Sequence, residues 1–395
     1  MPVSDAHSLG SVQLLRGYRL AVDRINERGG VTIGNRRRLI ELVMLDDKGG
    51  GDKAAAAAEK MIAQGVVALL GPYDPNLAEE VAGVAERRGV PMVQAASVAR
   101  AMFGDGRRHF TFGISATTDQ YLNGGMDLAV QAVGRCRIAP RDVRWGMAMV
   151  RDSVGEERRE AILDHARQLG LSEPLFDEAL PEPTESFAGV LTQIERHRPA
   201  LLLVSGYSRA AEVAVTQMAQ SATRVPMMVV THCEAAQIER MGRQGNYVLC
   251  PSQWNPYAGY SDRWFGSAVS FMIDYELAYE GEAPAYEAAE GAAAVIVLAD
   301  AIERAGGTDR KAVQAALSAT DLMTLFGRVR FDDSGKNTAR SMILTQLQGG
   351  RYSIVWPYDI AWSDAILPVP RWQDRSGTAP KAGQDKPEDP RCAFQ

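Results

Sequence analysis

The chain has 395 residues, 46% of them hydrophobic and 23% charged, with a formal net charge of -6. That length exceeds a single core and points to two α/β lobes. The acidic balance argues against a surface that tracks nucleic-acid phosphates, and the scattered basic pairs (Arg36 to Arg38, Arg87 and Arg88, Arg107 and Arg108) read as solvated loop ends.

In chain order, Leu14, Leu15, Tyr18, Ala21, Val22 and Ile25 recur at helical spacing, and Gly29-Gly30 ends that run as a left-handed cap does. Residues 39–45 form a short apolar run suited to a buried strand. The next helix closes at Gly65 and leads into VVALLG, and a further helix leads into the strand 91–94. Such alternation predicts parallel strands joined by crossover helices, with a ligand cleft at the carboxyl ends of the strands. Residues 109–113 read as a strand. Thr117 with Gln120 reads as a capping box opening a helix over 119–133.

A second alternating series follows. Strands are predicted at 143–150, 175–179, 200–204, 226–230 and 246–250, with helices at 156–169, 186–198, 210–220 and 235–241. Helical blocks come next at 262–280, 286–305 and 310–318. Short β segments close the pattern at 327–331, 342–348 and 352–356, the last two joined at Gly349-Gly350. The tail from residue 367 is read as disordered, being rich in Pro, Gly, Lys and Asp from Arg371 onward.

No apolar run approaches the length of a membrane span, so no direct membrane insertion is expected, and residues 1–5 do not read as a signal peptide. Cys136, Cys233, Cys250 and Cys392 lack CxxC spacing, and neither a metal nor a cofactor is expected. Cys233 and Cys250 lie near the ends of successive predicted strands. A disulfide between them is open on the sequence but not favoured. An enzyme reading is set aside, because there is no GxGxxG after a first strand, no GxxxxGK[ST] and no GxSxG.

Read together, the blocks resemble the type I periplasmic binding proteins, and among them the Leu/Ile/Val-binding family that serves ABC importers. The matching stretches are RGYRLAVDRINERGGV at 16–31, LVMLDDKG at 42–49, LLGP at 69–72, GVPMVQAAS at 89–97, LLLVSGYS at 201–208 and SQWNP at 252–256. PAYEAAEGAAAVIVLADAIERAG at 284–306, TLFGRVRFDDSGKN at 324–337 and TQLQGGRYSIVWP at 345–357 complete them. The resemblance implies an α/β fold of two doubly wound parallel-sheet lobes joined by three hinge crossings. Lobe one would comprise 1–117 plus 252–326, and lobe two 118–251 plus 327–366, with hinges near 115–118, 251–253 and 326–328.

Two features depart from the family pattern. The apolar first strand that normally precedes LGSVQLLRGY is absent from residues 1–8, as is a secretion signal, so either the given sequence starts late or lobe one lacks that strand or fills its place poorly with the N-terminal residues. The family's Ser or Thr after the GP turn and its Tyr-Gly pair are replaced by Tyr73-Asp74-Pro75-Asn76 and Val154-Gly155. Ligand identity therefore does not carry over.

The resemblance assigns the polar head of the ligand to Ala95 and Ser97, although Ser97 also suits a turn cap. Tyr73 would wall the pocket, and Asp74 either lines it or caps the next helix. Tyr207 would close over the ligand. Either Cys233 or Glu234 stands where relatives pair an acid with the ligand ammonium; a helix-dipole role for Glu234 is equally open. Trp254 and Tyr286 resemble aromatics near the cleft, with a core role open for Trp254, and Asp46-Asp47 is read as structural. The function implied is the substrate-binding component of an ABC importer, capturing an amino acid, amide or small carboxylate by closing two lobes and presenting it to a membrane permease. No nucleic-acid partner is expected, and the resemblance places the protein in the periplasm. The alternative is a sensor of the same fold that reports amide, urea or amino-acid levels to a regulator.

Overall fold

A helix needs one apolar stripe and a partner to bury it. In the computed structural model, which describes residues 9–46, 50–96, 98, 100–104, 108–234, 236–339 and 342–375, the first element does this directly. Helix α1 (Leu9–Glu27) buries Leu14, Tyr18, Ala21, Val22 and Ile25. It lies so close to a later helix that a Cβ on Gly17 would stand 2.1 Å from the Ala288 carbonyl oxygen. Gly30 then turns the chain at φ 80°, where a side chain would strike the Arg38 carbonyl.

The chain divides into two units, residues 1–117 with 253–341 and residues 118–252 with 342–395. The first unit continues with β1 (Val31–Ile33), β2 (Arg36–Arg38), α2 (Gly51–Ala63), β3 (Leu69–Leu70), α3 (Pro75–Arg88), β4 (Met92–Gln94) and β5 (Thr111–Gly113). Strands β3, β4 and β5 form a parallel sheet in that order, with Leu69 opposite Met92 and Met92 opposite Thr111. Successive side chains leave opposite faces of a strand. Met92 accordingly packs with Ala58, Leu77 and Val81 of α2 and α3, while Val93 packs with α1.

The second unit contains α4 (Asn123–Gly134), β6 (Trp145–Val150), α5 (Ser153–Leu169), β7 (Asp177–Leu180), α6 (Ala188–His197), β8 (Leu201–Ser205), α7 (Ser208–Gln220), β9 (Met227–Val230) and β10 (Leu249–Ser252). The chain then returns to the first unit for β11 (Ser261–Asp262), β12 (Gly266–Ser267), α8 (Ala268–Ala278), α9 (Tyr286–Ala305), α10 (Arg310–Ser318), β13 (Asp321–Thr324) and β14 (Gly327–Arg330). Strands β15 (Ile343–Gln348) and β16 (Arg351–Trp356) complete the second unit's seven-stranded sheet, in the order β16-β15-β10-β9-β8-β6-β7. From β10 to β7 the pairing is parallel, and β15 and β16 add an antiparallel edge. Strands β6, β8 and β9 are buried along their whole length, as expected of a sheet covered on both faces.

Four sequence expectations need correction. Residues 39–45 pair with no strand among the described residues; the short β1–β2 hairpin takes the ladder just before them, and Leu39, Val43 and Met44 are exposed. Beside them a cavity of about 720 Å³ opens toward β3, lined by Tyr18, Val22, Leu42, Met61 and Leu70. The other edge of β3 has no paired strand among the described residues. The helix expected over 119–133 starts at Asn123, after a 3₁₀ turn at Thr118–Gln120, and its N-cap Leu122 makes no side-chain cap.

The last return to the second unit falls at 341–342 and not near Phe326 to Arg328. The reason is that β14 pairs with β13, and Asn337 Nδ2 donates to the Ile114 carbonyl at 2.8 Å. The tail expected to be disordered from 367 is packed as far as 375. Val369 donates to the Pro226 carbonyl at 2.8 Å, Trp372 is buried, and the Arg375 guanidinium lies 3.3 Å from the Trp372 ring centre.

Candidate ligand-binding site

In parallel α/β sheets, ligands gather at the carboxyl ends of the strands, where loops and helix N-termini are exposed. In the first unit those ends are Gly71 after β3, Ala95 after β4 and Ile114 after β5. Ala95 and Ala96 are fully buried, and the Ala95 carbonyl accepts a hydrogen bond from Ser115 Oγ at 2.6 Å. Ser97 lies outside the described residues, as does Asp47.

Asp74 caps α3, its Oδ1 accepting from the amides of Asn76 at 2.8 Å and Leu77 at 3.2 Å. Of the two roles open on the sequence, the structure gives it the helix cap. Tyr73 is half-buried with its ring over Gly10, at the start of α1. Tyr286 is half-buried at the first turn of α9 and packs on the same core. Trp254 belongs to that core. It is 4% exposed, its Nε1 donates to the Leu325 carbonyl at 2.9 Å, and Phe271 meets it edge-on.

The second unit brings more chemistry together. Tyr207 follows β8, and its hydroxyl donates to Asp152 Oδ2 at 2.7 Å, at the end of β6. Asp152 Oδ1 accepts from the Gly155 amide at 2.7 Å and so caps α5. Thr231 Oγ1, at the end of β9, donates to the Gly206 carbonyl at 2.8 Å and accepts from its amide at 3.1 Å. Three neighbouring strand ends are thus tied to one another.

Behind them, Arg158 is 5% exposed, donates to Ser205 Oγ at 3.1 Å and sits 4.8 Å over the Tyr121 ring. His232 is held at φ 59° and stacks near-parallel on Tyr121, with ring centres 6.4 Å apart; Tyr207 lies 5.8 Å away on a tilt. Its Nδ1 is buried with no hydrogen-bond partner among the described residues. Burial, helped by the Arg158 charge, pulls the imidazole down to about 4, so it is neutral near pH 7. Burial and the bond to Asp152 push the Tyr207 phenol up to about 12.

The open choice between Cys233 and Glu234 is answered in part by covalent structure. Cys233 is disulfide-bonded to Cys250, with Cα atoms 5.9 Å apart, so the pairing not favoured on the sequence is present and Cys233 carries no free thiol. The bridge staples the loop after β9 to β10, its immediate neighbour in the sheet. Glu234 is exposed on that loop. Sequence reasoning missed Tyr121, Asp152 and Arg158. Only Asp152 had a local signal, an Asx residue opening an apolar-periodic run.

A sequence family described as periplasmic binding protein matches residues 4–351 of this two-unit, strand-end architecture. The chain belongs to that family. The Leu/Ile/Val-binding protein homolog 8 of Brucella abortus is 21% identical to this periplasmic binding protein, over 91% of this chain and 90% of its own length. A putative branched-chain amino acid ABC transporter structure from Silicibacter pomeroyi has a TM-score of 0.80 at 20% identity, covering 94% of this chain and 98% of the other. A solute-binding protein of an ABC transporter from R. palustris, solved in complex with benzoate, has a TM-score of 0.67 at 19% identity, covering 93% and 97%. At such identities the solved structures support the fold and leave the ligand open.

Proposed function

We propose that this periplasmic binding protein is the substrate-binding component of an ABC importer and captures a small polar organic ligand, an amino acid, amide or small carboxylate. The observation that carries the reading is the family match along most of the chain, joined to a cluster of polar and aromatic groups at the strand ends of the second unit. Related proteins named for branched-chain amino acids and one solved with benzoate span the same ligand range. Binding needs no bond to be made or broken, and the permease that accepts the ligand is the partner.

Transport is favoured over cytoplasmic sensing by the Cys233–Cys250 disulfide, because such bonds persist in oxidising compartments such as the bacterial periplasm. No helix among the described residues is long and apolar enough to cross a membrane.

Titration calorimetry and thermal melts against a panel of amino acids, amides and aromatic acids test the reading. A ligand at a hundredfold excess over its Kd adds about 2.7 kcal/mol of stability, a clear rise in melting temperature. Ser97→Ala and Tyr207→Ala should each weaken the bound ligand more than tenfold, since a hydrogen bond to a charged group contributes about 1.5–3 kcal/mol. A panel in which no member raises the melting temperature overturns the proposal.

A further inference from the structure

We infer that the amino ends of β6, β8 and β9 form a second binding site, an arginine-lined cavity for a dianionic phosphate group. Tyr207 and Thr231 stand at the carboxyl ends of β8 and β9, so the two sites lie at opposite ends of one sheet. The five residues of β8, at about 3.3 Å each, set them roughly 16 Å apart. This second site goes beyond the solute-binding reading and does not depend on it.

A cavity of about 740 Å³ opens there, lined by Arg144, Arg198, Arg224 and Arg371, with Glu195 as the one acid among its described residues. Each arginine comes from a different stretch of chain. Arg144 precedes β6, Arg198 and Arg224 come shortly before β8 and β9, and Arg371 belongs to the packed segment after β16. Backbone hydrogen bonds fix this frame. The Ala200 amide donates to the Arg144 carbonyl at 2.7 Å, the Met227 amide to the Ala200 carbonyl at 3.0 Å, and the Val369 amide to the Pro226 carbonyl at 2.8 Å.

Charge decides what the cavity takes. Among the described residues none of the four arginines has an acidic partner; the Arg144 guanidinium donates to the His197 carbonyl. Helices α6 and α7 both end beside the cavity, and each helix C-terminus is worth about half a negative charge. With Glu195 they offset about two of the four positive charges, which leaves about two unmatched. A phosphate monoester carries about -1.5 to -2 near pH 7 and matches that remainder, where a carboxylate matches half of it. The planar guanidinium fork fits its oxygens, and a concave cavity of this size suits a small group.

Arg198 supplies an independent observation. It caps α6 at φ 47°, in the left-handed region. Helices α3, α5 and α9 end at the same place on Gly89, Gly170 and Gly306, which meet no steric cost there. At the end of α6 the chain bears that cost and in return places a guanidinium in the wall of the cavity.

Glycerol phosphate and glycerol are probes that share a body and differ in charge. Calorimetry on the full chain should show glycerol phosphate binding at one site and glycerol not at all. Arg198→Gln combined with Arg224→Gln should weaken the phosphate at least tenfold. Arg240→Gln combined with Arg243→Gln removes the same charge from exposed positions after β9 and should leave it within twofold. Arg198→Gly removes the side chain together with its strain, so it should bind at least threefold more weakly at an unchanged or higher melting temperature. Melting curves of every variant, taken without probe, establish that it is folded. Sedimentation with vesicles of phosphatidate in phosphatidylcholine separates the sources of the phosphate: binding that the Arg198, Arg224 variant loses assigns the site to a lipid headgroup, and no vesicle binding assigns it to a free phosphate ester. Failure of glycerol phosphate to bind overturns the inference. So does an equal loss in the two double variants, which would mean a general attraction to positive surface and no built site.

Discussion

Replacing both Cys233 and Cys250 by alanine isolates what one covalent link contributes. The two residues are 17 apart in sequence, and their strands are already neighbours in the folded sheet, so the bond adds little native geometry. Its effect lies in the unfolded chain, where it closes a short loop; the chain-entropy relation gives about 3 kcal/mol at 25 °C for a loop of this size. For a unit of roughly two hundred residues that corresponds to a fall of about 6–12 °C in melting temperature.

Urea unfolding of the unaltered chain and the double variant, each with and without reductant, measures it. Without reductant the two should differ by about 3 kcal/mol. With reductant the gap should close, because the unaltered chain then carries two thiols in place of the link. A gap that is absent, or that is the same in both conditions, would refute the loop-closure argument and leave only the packing of two small side chains.

Two further outcomes follow from the core and the site. Phe271→Ala should cost about 3–5 kcal/mol in denaturant unfolding, since the ring is fully buried and meets both Trp254 and Phe265 edge-on. His232 resists protonation when folded, down to about 4, whereas the unfolded residue takes a proton near 6.5. The unfolded state therefore binds the extra proton between those values, and stability should fall by about 2–3 kcal/mol as pH drops from 6.5 to 4, then level off. His232→Gln should flatten that part of the stability profile.

Long, strongly patterned elements were legible from the sequence. The helices over 286–305 and 310–318 appear with the expected ends, because a continuous apolar stripe and a following glycine or polar turn leave little choice. The strand expected over 39–45 had the right composition, yet a strand exists only where a neighbour offers a ladder, and neighbours are a property of the fold. The same reason hid the disulfide. Cys233 and Cys250 become adjacent only when β9 and β10 pair. Arg158 stands in the run Glu156-Glu157-Arg158-Arg159-Glu160, which reads as a solvated helix face; burial against Ser205 and Tyr121 is set by the sheet beneath. The position of Tyr207, though not its role, was legible because it follows directly from the end of a buried strand.

The edge of β3 that has no partner among the described residues bears on how this chain behaves among copies of itself. An unpaired strand edge is a template for another extended segment, and proteins ordinarily guard such edges with charge, proline or a bulge. Here the neighbouring run exposes Leu39, Val43 and Met44 at 69%, 37% and 41%, with Glu41 as the one acidic residue among them. The net charge of -6 supplies the general repulsion that opposes such an encounter. Raising ionic strength to suppress general repulsion would bring such edges together sooner, so concentrated stocks should keep best at low salt.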